Sequence, residues 1–63
     1  MEKFTAKVTF KNSRNDSIHT REVSIPYSNE KTTDRYIIFC ALMQLNNEGL
    51  DVKYFSAESV ERL

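Results

Sequence analysis

His19, Cys40 and the carboxylate pair Glu58 and Glu61 are the side chains of this 63-residue chain whose types could support chemistry. A general base needs a nucleophile or substrate placed against it. His19 is the only histidine, it stands beside a polar loop, and the sequence supplies it with no such partner. It reads as a surface histidine. A reactive thiol needs an electropositive, accessible setting. Cys40 lies inside the apolar run from Tyr36 to Met43 and reads instead as a small buried hydrophobe. Glu58 and Glu61, three apart, would share a face of a helix, but the same spacing decorates most solvated helices. A single glycine leaves no loop able to cradle a phosphate. With His19 and Cys40 as the only typical soft ligands, no zinc site is expected. The sequence therefore predicts no enzyme, no metal and no cofactor. The rival enzymatic reading is a site built at a dimer interface, with His19 as its base.

The chain is one small domain, residues 1–63. Such a short chain buries only about 60% of the surface its unfolded form exposes. Small domains of this kind lean on disulfides, a metal or association. One cysteine excludes an internal disulfide, so self-association or a permanent partner is the remaining aid. Nine basic and nine acidic residues cancel, which argues against a general binder of nucleic acid or anionic membrane. Residues 1–35 carry seven basic and five acidic side chains, and residues 36–63 carry two and four. That asymmetry is too small to imply a partner. The N-terminus, Met1 to Lys7, has no apolar core of a secretion signal. The longest apolar run is far short of the roughly 18 to 20 residues of a membrane span. With one buried-type cysteine, a cytoplasmic location is expected.

The elements that must position any site follow from periodicity. From Lys3 to Lys11 every even residue is apolar and every odd one is Lys or Thr, a strand with one buried face. Asn12 to Ser17 is wholly polar and rich in turn formers, a hairpin loop. Ile18 to Ile25 returns as a second strand. Val23, Ile25 and Tyr27 share one face and Ile18 has the opposite parity, which a bulge near His19 to Arg21 would reconcile. Pro26 ends the strand or marks an edge. Glu30 to Asn47 reads as the helix, capped by Ser28 or Asn29 and stopped by Gly49. A buried strand over Tyr36 to Met43 is the competing reading. Leu50 to Phe55 reads as the third strand, with Leu50, Val52 and Tyr54 inward and Phe55 outward. Ser56 to Leu63 extends that strand or forms a helical turn.

These elements predict an α+β fold, β-β-α-β, with a three-stranded antiparallel sheet in the order 2-1-3 and one helix on one face. The expected core sets Phe4, Ala6, Val8, Phe10, Val23, Ile25, Leu50, Val52 and Tyr54 against Ile37, Ile38, Ala41, Leu42 and Leu45.

At about 100° per residue the helix carries two apolar stripes. Ile37, Ile38, Ala41, Leu42 and Leu45 form one; Tyr36, Phe39 and Met43, with Cys40 at the margin, form the other. A helix on one small sheet needs only the first. The second predicts a protein interface: a homodimer, or a groove for another protein. The competing reading folds the C-terminal segment back so that Val60 and Leu63 cover it. A different surface is offered by Lys3, Lys7 and Lys11 on the open sheet face, with Lys53 and Phe55 nearby. Basic residues with an aromatic suggest a nucleic-acid platform, although such sheets use two or three aromatics.

Lys3-Phe4-Thr5-Ala6-Lys7-Val8, Val23-Ser24-Ile25-Pro26-Tyr27 and Asp51-Val52-Lys53 resemble stretches of small phage and prophage proteins of β-β-α-β layout. Among these are the short inhibitors that phages make against host RNA polymerase. The resemblance covers about half the chain in pattern. It implies an accessory protein that acts by binding, and it carries over no residue role.

Overall fold

A computed structural model describes residues 3–63; Met1 and Glu2, part of the stretch read for a secretion signal, lie outside the described residues. β1 (Phe4–Asn12) and β2 (Ile18–Ile25) form an antiparallel hairpin. A short 3-10 turn, Asn29–Lys31, leads into α1 (Asp34–Asn47). A second 3-10 turn, Val52–Tyr54, leads into β3 (Phe55–Arg62). The sheet order is β2-β1-β3, all antiparallel, with the helix across one face. The α+β architecture and the 2-1-3 order match the sequence expectation. No helix among the described residues is long and apolar enough to cross a membrane.

The alternation of β1 decides which sheet face is buried. Ala6, Val8 and Phe10 are fully buried, with Val23 and Ile25 of β2 beside them and Ile37, Ala41 and Leu45 of α1 above. Phe4, Ile38, Leu42, Leu50, Val52, Phe55 and Val60 close the margin. In the hairpin turn, the Asn12 side-chain oxygen accepts from the Arg14 N–H at 2.8 Å and that of Asn15 from the Ser17 N–H at 3.0 Å. Asp16 takes the left-handed conformation, φ 59°, which Asp tolerates better than most residues.

Four expectations are corrected. Residues Val52 to Tyr54 are a 3-10 turn rather than strand, and the third strand is Phe55–Arg62. The chain needs residues 50–54 to travel from the helix end to the far end of the sheet, where the Ser13 N–H bonds the Tyr54 carbonyl at 2.8 Å. Tyr54 consequently lies outside the core cluster, its ring under the Arg14 guanidinium. Phe55 turns inward rather than outward and packs edge-on to Phe10. The β1–β2 register runs unbroken from Phe4 opposite Ile25 to Lys11 opposite Ile18. No bulge sits near His19, so Ile18 stays on the outer face, 58% exposed. The irregularity lies between β1 and β3: Thr9 pairs with Ser59 and Phe10 with Ala57, leaving Glu58 as the extra residue.

The helix also starts later than Glu30. Thr33, not Ser28 or Asn29, is its N-cap, its hydroxyl accepting from the Tyr36 N–H at 3.2 Å. Ser28 precedes the 3-10 turn, and its buried Oγ meets no hydrogen-bond partner. The stop is as expected. Gly49 adopts φ 92°, its N–H bonds the Asn46 carbonyl, and the Leu50 N–H bonds that of Leu45. This pair of bonds is the Schellman arrangement, completed by Leu50 packing on the core.

Two arginines on the core-facing side of the outer strands fasten the helix ends. Arg21 of β2 forks onto Glu48, Nε to Oε2 at 2.8 Å and Nη2 to Oε1 at 2.7 Å. Arg62 of β3 reaches the other end. Its Nη2 donates to the Thr32 carbonyl at 2.8 Å and to Asp34 at 2.7 Å, and its Nη1 donates to the carbonyl and side chain of Asn29. Arg62→Ala is expected to lower stability by about 2 kcal/mol, since several bonds to one charged group are lost together. In a chain of this size that is a fall in melting temperature of roughly 10 °C, read by thermal denaturation. Arg62→Lys should restore little of it, because an ammonium cannot fork across Thr32 and Asn29.

The Arg21 bonds hold the Glu48 carboxyl below its ordinary value of 4.5. A depressed carboxylate contributes stability that is full above its unfolded value and lost as pH falls through its folded one. Thermal midpoints are therefore expected to fall as the solution is acidified below about pH 4.5, and Glu48→Gln should flatten that part of the profile.

Candidate interaction surface

The second apolar stripe lies where the sequence placed it, on the side of α1 away from the sheet. Burial of Ile37, Ala41 and Leu45 fixes the helix rotation, so residues about half a turn away face outward. Tyr36 is 37% exposed, Phe39 57% and Met43 46%. Cys40, at the edge of the stripe, is a half-buried free thiol that packs on the core. It lies one turn from Tyr36. Its thiol first, then burial and Tyr27, hold the Tyr36 phenol above the ordinary value of 10.0.

The C-terminal segment does not cover this stripe. Residues 55–62 are committed to the sheet, Val60 faces Val8, and the Leu63 N–H bonds the Thr5 carbonyl at 2.8 Å. Leu63 itself is exposed. The fold-back reading is thereby overturned.

Sequence reading missed the extension of this surface past the helix start. Tyr27, 55% exposed, stands edge-on to Tyr36 with ring centroids 5.7 Å apart. Beside this pair lies a groove of about 610 Å3, lined by both tyrosines with Pro26, Ser28, Lys31, Thr32 and Thr33. Among its lining residues Lys31 is the only charged one. The signal was present in Pro26-Tyr27, an apolar pair just past a strand end, but its meaning depends on the turn that brings Tyr27 beside Tyr36.

The lysine face is organised differently. Lys7 and Lys11 lie on the outer sheet face, as their parity requires. Lys7 sits between Glu22 and Glu61 across the strands and pairs with Glu61 at 3.4 Å. Lys11 pairs with Asp16 at 3.6 Å. Lys53 pairs with Asp51 and lies over the Tyr54 ring. Lys3 precedes β1 and is exposed. Phe55 is on the opposite, core-facing side against His19 and Phe10. The fold thus separates the aromatic from the lysines and sets carboxylates among them.

His19 is half-buried against Phe55, ring centroids 4.9 Å apart, with its Nε2 2.9 Å from the Ser17 Oγ. The serine hydroxyl donates to the Asn15 side-chain oxygen at 2.7 Å, an oxygen already fixed as an acceptor by the Ser17 N–H. His19 must then donate through Nε2–H. That polarity is opposite to the activation of a serine nucleophile, where the imidazole accepts. Glu58 and Glu61 are on a strand, not a helix, with Glu58 at the bulge and Glu61 on the outer face beside Lys7. Among the described residues no three His, Cys, Asp or Glu side chains gather as metal ligands would. No protein-family model, curated protein or solved structure matches the chain.

Proposed function

We propose that this chain is a non-enzymatic protein-interaction module that associates with itself through the outward face of α1. One observation carries the reading. Tyr36, Phe39 and Met43 stand exposed on a helix whose other side is already full, and the C-terminal segment that might have covered them is a sheet strand. Fully burying a large apolar side chain is worth about 1.5 to 3 kcal/mol, a substantial gain for a domain with so small a core. Aromatic residues and Met are also the types enriched at interfaces. A twofold, helix-on-helix contact places the same stripe on both sides and needs no second kind of partner. Action by binding is also what the resemblance to small phage accessory proteins implies.

Sedimentation across a wide concentration range is expected to give about twice the 7.4 kDa chain mass at the high end. Phe39→Glu with Met43→Lys should return the monomer mass while leaving the circular dichroism spectrum and melting cooperativity intact. A wild-type monomer at every concentration would sink self-association. Loss of folding in the double variant, at every concentration, would assign the stripe to the intramolecular core.

A further inference from the structure

We draw no further inference here: the strongest candidate, the groove beside the Tyr27–Tyr36 pair at the start of α1, carries nothing because nothing in the structure shows what covers it.

Discussion

Burial of the even-numbered side chains of β1 is the constraint on which the rest of the structure depends. Ala6, Val8 and Phe10 have no exposed surface, and their strand is the middle one. They are flanked by Val23 and Ile25 on one side, by Val60 and Phe55 on the other, and roofed by Ile37, Ala41 and Leu45. One helix on three strands makes two layers, and two layers share a single apolar interface. The outer face of each layer is left to water. On the sheet that condition is met by Thr5, Lys7, Thr9 and Lys11, with Glu22, Ser24, Ser59 and Glu61 across from them. On the helix it is not met, because Tyr36, Phe39 and Met43 occupy the corresponding positions.

The parts of the fold that were legible in the sequence are those in which one face is dry and the other wet. β1 shows this most clearly, and the hairpin, the helix rotation, the Gly49 stop and the strand order follow from it. The bounds of the third strand were illegible for a physical reason, although its place beside β1 was not. Phe55 to Arg62 is an edge strand beside a bulge, so most of its side chains meet solvent and its period is broken at Glu58. Leu50, Val52 and Tyr54 alternate as a strand would, yet they serve a connection. Leu50 and Val52 plug the margin of the core while the backbone turns. Ile18 misled in the opposite sense. Its apolar type suggested a shifted register, but it is an exposed residue on a regular ladder. For the candidate surface, the helix stripe was readable from angular spacing. Its continuation to Tyr27 was not, because that contact is made by the turn between Pro26 and Thr33.

Arg21 and Arg62 were equally hidden. Each occupies a core-facing position on an outer strand, where an apolar residue would ordinarily close the core. An arginine can do this because its stem covers apolar surface while its head stays at the rim. The Arg62 guanidinium lies 5.7 Å from the centre of the Phe4 ring, so it both seals the edge and reaches the helix start. Together the two arginines tie opposite ends of α1 to opposite edges of the sheet. That tie sets the helix direction over the strands, and with it the place where the outward stripe meets the groove.

The composition of that stripe has no explanation within the chain. Helix formation does not need it, since Lys, Glu or Gln at these positions would be at least as favourable as Tyr and Phe. Core packing does not need it, because Ile37, Ala41 and Leu45 already fill the space above β1. Solubility is worse served by it than by charge. Ile18 apart, the same chain places charged and hydroxyl side chains on the outer face of its sheet, whereas Tyr36, Phe39 and Met43 take the middle of the outer helix face. A core this small leaves little stability in reserve, and burying the outer face of α1 would add much apolar area for few residues. Under mass action such burial stabilises the folded state in proportion to how tightly it is bound. In a two-layer domain of 63 residues, the self-association proposed above would make the apolar outer helix face the feature that couples folding to association.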